Sequence, residues 1–191
     1  MSGKLSVKNI KSVAEGLSEC EIVQKDLMEH RPKAGDNVKG GIIISYSTDT
    51  NKGLMCAKKR LGPTIFSYDT IKEAFIKTLI STSSGKENTN ILLYYGSSQA
   101  AKTCEDYNAG GYDDWFLPTS SELIHHNNIQ LKELMRNVWT STGVESDAFD
   151  RAHSHSWGII YLDDESEIAV ESRYSTVEHF VLPVREFSID L

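Results

Sequence analysis

The densest run of ligand-capable groups in this chain is Ser146-Asp147-Ala148-Phe149-Asp150-Arg151-Ala152-His153-Ser154-His155-Ser156-Trp157. His153 and His155 alternate, so on extended chain both point to one face, where together with Asp147 or Asp150 they can hold a metal. A metal-dependent enzyme built on the 147–155 His/Asp cluster is one reading of that pattern. The simpler reading is an exposed polar loop. A second acidic run, Asp163-Asp164-Glu165-Ser166-Glu167, offers oxygen ligands of the kind calcium takes. It also reads as the turn of a hairpin joining Ile159 to Leu162 with Ile168 to Glu171. Asp113 and Asp114 sit beside an aromatic pair, where two carboxylates can act as acid and base or as metal ligands. In a glycine-rich turn such short acids more often hydrogen-bond the local backbone, and that reading is favoured here.

Other enzymatic arrangements are missing from the chain. It contains no G-x-S-x-G elbow, no H-E-x-x-H and no phosphate-binding P-loop. His125 and His126 fall on a predicted helix, where neighbours diverge by about 100 degrees and cannot serve one site. The three cysteines, Cys20, Cys56 and Cys104, are far apart and odd in number, which argues against a disulfide framework or a zinc site and for reduced, buried thiols. No residue is assigned a catalytic role.

The elements that must position these groups are clearest around Gly110-Gly111-Tyr112-Asp113-Asp114-Trp115-Phe116-Leu117-Pro118-Thr119-Ser120-Ser121-Glu122-Leu123. Pro118 stops any preceding helix, Thr119 can cap orphan amides, and Glu122 can reach back to the Thr119 amide, as in a capping box. The following apolar spacing predicts a helix over about 119–136, with a polar break at Asn127 and Asn128. Upstream, Ala100, Ala101, Cys104 and Tyr107 predict a helix over 100–108, ended by the left-handed conformation that Gly110 or Gly111 supplies. A further helical segment is expected near 69–81, and Ser81 to Asn90 reads as a polar loop. Gly41 to Tyr46 and Phe180 to Phe187 are apolar runs bounded by breakers or charge and read as strands.

This motif resembles the G-G-x-D-W-R-L-P-T-x-x-E-L core of the domain at the C-terminal end of the Legionella collagen-like adhesin. The resemblance runs from Gly40-Gly41-Ile42-Ile43-Ile44 and Gly53-Leu54-Met55-Cys56-Ala57, through Val138-Trp139-Thr140-Ser141-Thr142 and Ser156-Trp157-Gly158-Ile159-Ile160-Tyr161, to Val181-Leu182-Pro183-Val184-Arg185-Glu186-Phe187, covering about 40–187. Phe116 stands where that family usually has Arg, which puts in doubt any salt bridge the Arg makes. The resemblance implies a C-type-lectin-like fold related to the sulfatase-modifying-enzyme scaffold. That is an α+β arrangement: two or three helices around a mostly antiparallel twisted sheet, with N- and C-terminal strands paired. Gly111, Asp114, Trp115, Pro118, Thr119, Glu122 and Trp139 are then structural residues. The sulfatase-modifying relatives use late cysteines, and none follows Cys104 here, so their oxidase activity does not transfer. The Glu-Pro-Asn and Trp-Asn-Asp triplets of calcium-dependent lectins are both missing. No cofactor is firmly implied; calcium is the one ion the acidic runs suit.

Composition and charge narrow the partners. The 191 residues, 39% hydrophobic, suffice for one well-cored domain and a tail. Residues 1–39 read as a helical arm and linker, in which Val7, Ile10, Val13, Ala14 and Leu17 fall near helical spacing; residues 40–191 form the domain. The arm is expected to dock on the domain or on another subunit, giving a homo-oligomer or attachment to a larger assembly. No apolar run reaches the roughly 18 residues that span a bilayer, and residues 1–39 lack the apolar core of a secretory signal. Membrane insertion is therefore not expected. The net charge of −7 is unevenly spread: residues 105–191 carry five Lys/Arg against seventeen Asp/Glu. Such a surface disfavours nucleic acid, whose binding needs phosphates neutralised. The expectation is a non-enzymatic binding module of adhesin type, on a cell or phage-like particle surface. It would present loops around 143–157 and 163–178 to a protein or glycan, with Asp147, Asp150, Arg151, His153, His155, Trp157 and Tyr174 as contacts.

Overall fold

Three successive β-branched residues, Ile42-Ile43-Ile44, favour extended chain and a place inside, and in this computed structural model they lie in β2 (Gly41–Ser47), each 2% exposed or less. The structure describes residues 31–67, 84–96, 98–124, 129–145, 155–162, 168–174 and 176–188. The N-terminal arm through residue 30, the helix expected near 69–81, His125 and His126 lie outside the described residues, as do the loops at 146–154 and 163–167.

A short β1 (Asn37–Val38) pairs with one edge of β2, and β3 (Lys52–Cys56) folds back on the other through a turn at Asn51, whose φ is 52°. The final strand, β9 (Val184–Ser188), pairs antiparallel with β3 from Lys52↔Ser188 to Cys56↔Val184. The sheet order is β1-β2-β3-β9. N- and C-terminal strands thus share a sheet but are not directly paired, because β1 and β3 already occupy both edges of β2.

The second sheet has the order β4-β8-β5-β6-β7, from β4 (Leu61–Ile65), β5 (Val138–Glu145), β6 (His155–Leu162), β7 (Ile168–Tyr174) and β8 (Glu178–Val181). All its pairings are antiparallel except the parallel one of β5 with β8. The apolar run Phe180 to Phe187, read from sequence as one strand, is two. Pro183 cannot donate to a ladder, so the chain leaves β8 at Leu182 and enters β9 at Val184 in the other sheet. The Pro183 carbonyl is still used, accepting the Ala57 amide at 2.9 Å.

Among the described residues four helices accompany these sheets: α1 (Gly85–Tyr94), α2 (Gln99–Glu105), α3 (Ser120–Ile124) and α4 (Ile129–Met135). The helix expected over 119–136, with its polar break at Asn127 and Asn128, is described as α3 and α4, and residues 125–128 between them lie outside the described residues. The helix expected over 100–108 closes at Glu105, so Gly110 and Gly111, with φ of 67° and 83°, shape the Ala109–Tyr112 turn instead of ending it. The stretch Ser81 to Asn90 is not simply a loop: from Gly85 onward it is α1, started by Ser84 and Glu87 in a reciprocal capping box. Two buried clusters form the core. One gathers Ile42, Met55, Trp115, Phe116, Leu131 and Leu182, the other Phe66, Leu92, Ala101, Cys104, Leu117 and Trp139. The architecture is α+β, with one antiparallel sheet, one mixed sheet and a few short helices.

Candidate functional site

The carboxylates of the glycine-aromatic motif are the first groups to test for chemistry: Glu122 and Asp114 are tied to the scaffold, and Asp113 is exposed. Glu122 accepts the Thr119 amide at 2.7 Å, while the Thr119 hydroxyl accepts the Glu122 amide at 3.2 Å. This is the capping box that the Thr119-x-x-Glu122 spacing predicts. The same carboxylate accepts a further amide, Gly85 at 3.1 Å, from the first turn of α1. Around it the motif is pinned to its neighbours: Pro118 accepts the Ser141 amide at 2.7 Å, and Thr142 Oγ1 accepts the Ser120 amide at 2.9 Å. Thr89, on α1, accepts the Leu117 amide at 2.8 Å and donates to the Gly85 carbonyl at 2.7 Å.

Asp114 was expected to satisfy its own turn. It does bond its own backbone, and it also reaches across the chain to Arg185, accepting from Nε at 2.6 Å and from Nη2 at 2.9 Å. Such a fork fixes both planes at once. The Arg185 guanidinium also lies 3.9 Å from the centroid of the Tyr112 ring. The Arg185 hydrogen bonds hold the Asp114 carboxyl below the usual carboxylate value. A salt bridge therefore exists in this motif; Phe116 is buried and forms a two-way backbone bridge with Val184.

Both described tryptophans of known environment are structural in the same way. Trp139 is fully buried, donates from Nε1 to the Thr64 carbonyl at 2.9 Å and meets the Phe66 ring edge-on at 5.5 Å. Trp115 donates to the Tyr112 carbonyl at 3.0 Å and meets Tyr107 edge-on. Cys56 and Cys104 are free and buried; burial pushes the Cys56 thiol up to about 12 and raises Cys104 as well. Neither thiol is a nucleophile at neutral pH.

Among the described residues a groove of about 380 Å³ is lined by Ser45, Tyr46, Ser47, Lys52, Gly53, Leu54, Glu122 and Glu186. Ligand clefts commonly hold ~300–1,000 Å³, so this one suits a sugar ring or a short peptide stretch. The Tyr46 ring stacks on Phe187 at 6.1 Å and 11°, and its hydroxyl donates to Asn51 Oδ1 at 3.1 Å. The half-buried ring is thereby held in place, and the other lining residues include Ser45 and Ser47, the Lys52 ammonium and the carboxylates of Glu122 and Glu186. Glu186, 3.9 Å from Lys86, and Lys52 are exposed. These are hydrogen-bonding and stacking groups; none is a nucleophile activated by a base. The sequence held the signal for this groove only as alternation, Tyr46 and Glu186 being unremarkable until β2, β3 and β9 bring them together.

The contacts nominated from sequence fall differently. Asp147, Asp150, Arg151 and His153 lie outside the described residues, as do Asp163, Asp164, Glu165 and Glu167. Three others are on described backbone: His155 is opposite Glu145, Trp157 opposite Gly143 and Arg173, and Tyr174 opposite Ser156. Trp157 and Tyr174 are thus one register step apart. Among the described residues no group of three or more His, Cys, Asp or Glu is placed to hold a metal ion. No known protein family and no curated protein matches this chain.

Proposed function

We propose that this chain is a non-enzymatic binding module on a C-type-lectin-like scaffold, of adhesin or receptor-binding type, recognising a protein or glycan. The observation that carries the reading is how the acidic motif uses its carboxylates. Glu122 holds two helix starts and Asp114 holds Arg185, while the groove that Glu122 lines offers an aromatic residue, hydroxyls, one ammonium and two carboxylates. Stacking and hydrogen bonding are what such walls do well, and a glycan or an extended peptide needs both. The acidic balance of residues 105–191 favours neutral or cationic ligands over phosphate- or sulfate-rich ones.

The test is a glycan array run in parallel with pull-down, using the full chain and its Tyr46→Ala variant. Binding that falls at least tenfold in Tyr46→Ala, with an unchanged melting temperature, supports both the module and the groove. Binding indifferent to Tyr46 moves the site to the 146–154 and 163–167 segments. A clean negative in both assays removes the binding-module reading.

A further inference from the structure

The two sheets leave four edges, and three of them are blunted in ways known to suppress strand addition. β1 is two residues long. β4 contains Pro63, which has no amide to offer, and a register shift between Leu61 and Thr64. β9 is bridged at Val184 by Phe116 on the side away from β3. The remaining edge, β7, is different: seven residues run in unbroken register with β6, from Leu162↔Ile168 to Ser156↔Tyr174, and no strand among the described residues pairs with its far side.

We infer that β7 is a self-association edge whose occupant is a second copy of β7, added antiparallel about a twofold axis at Ser172. The sequence of β7, Ile168-Ala169-Val170-Glu171-Ser172-Arg173-Tyr174, is what commits the edge to this occupant and this register. A twofold pairing of antiparallel strands centres on one residue, and residues equally far on either side of it stand opposite each other. Centring on Ser172 puts Glu171 opposite Arg173 of the second copy, twice, and Val170 opposite Tyr174 of the second copy, twice. Opposite charges and aromatic with β-branched residues are both favourable cross-strand pairs. Centring on Glu171 or on Arg173 instead sets two like charges face to face, which is unfavourable. Of these three centres Ser172 alone avoids a like-charge pair, and the register it gives is self-complementary. The resulting contact joins two five-stranded sheets into one of ten strands.

Sedimentation velocity on the full chain from about 1 to 200 µM tests this. The wild type is expected to shift from monomer to dimer across that range. Glu171→Arg and Arg173→Glu should each raise the dissociation constant at least tenfold, and the double swap Glu171→Arg/Arg173→Glu should restore it. A chain that stays monomeric overturns the inference. So does a dimer indifferent to the single reversals, which belongs to another surface, or a double swap that fails to recover. Should the reversals unfold the chain, Ser172→Cys decides. It lies on the proposed twofold, so a short bismaleimide should link two copies through it while Ile168→Cys gives no such product; equal linkage at both positions, or none, overturns the pairing.

Discussion

The Glu122 carboxylate accepts the Gly85 amide at 3.1 Å, tying the first turn of α1 to the first turn of α3 across 37 residues of sequence. Because Glu122 also accepts the Thr119 amide at 2.7 Å, one side chain caps two helix starts, and its negative charge sits where both helices expose unpaired amides.

Glu122→Ala should therefore cost more than an ordinary cap, which contributes about 1 kcal/mol. Two part-buried amides lose their acceptor, and a loss of about 2–3 kcal/mol is expected. Glu122→Gln keeps an acceptor oxygen and should lose about half as much. Urea unfolding followed by tryptophan fluorescence measures both; a Glu122→Ala loss under about 1 kcal/mol would show that one of the two bonds contributes nothing.

Gly85→Ala gives a test by sign. Alanine is normally the better helix residue by about 1 kcal/mol, so propensity alone predicts stabilisation. A Cβ at position 85 would collide with Glu122 Oε2 and stand 2.7 Å from the Leu117 carbonyl and 2.8 Å from Pro118 Cα. Backbone atoms on two sides cannot swing away as a flexible side chain can. The clash wins, and destabilisation by about 2 kcal/mol is expected from thermal melts. An increase in melting temperature would mean that α1 can slide away from the motif.

The Asp114 and Arg185 fork carries a pH signature. Its hydrogen bonds hold the Asp114 carboxyl below the ordinary value in the folded chain, so the contribution is present at neutral pH and fades as pH falls through the carboxylate range, below about 4. Asp114→Asn should lose about 1 kcal/mol at pH 7. That figure is modest because the Asp114 side chain is 43% exposed, although Arg185 is only 11% exposed. Unfolding of both proteins from pH 7 to pH 3 should show the gap closing on the acid side. A gap constant with pH would assign the loss to packing around Tyr112 and not to charge.

The parts of this fold that were legible are those whose cause is local. The capping box at Thr119 and Glu122 follows from spacing alone. What escaped was set by partners distant in sequence. Asp114 looked like a turn residue because Arg185 is 71 positions away. The division of Phe180 to Phe187 depended on Pro183 standing where the chain crosses between sheets. The missed start of α1 was legible, since Ser84 and Glu87 are themselves spaced as a capping box; the polar composition of the region obscured it. The groove had no sequence signal beyond alternation, because its walls come from β2, β3, β9 and the first turn of α3.

Thiol reactivity provides a readout of core integrity that needs no ligand. Cys56 and Cys104 have no exposed surface, and burial raises both, Cys56 to about 12. At pH 8 a thiol of that kind is ionised to about one part in ten thousand, and the thiolate is the reacting species. Iodoacetamide on the native chain should therefore leave Cys56 and Cys104 unmodified within an hour, whereas denaturant should open both. Intact-mass spectrometry counts the additions. Cys56 is opposite Ile42 and Val184 in the centre of the four-stranded sheet, so its labelling in the native state would require that sheet to open. Slow labelling at Cys56 that accelerates in Glu122→Ala would then report how far the double cap holds the sheet and helices together, while equal rates in the two proteins would confine its effect to the helix starts.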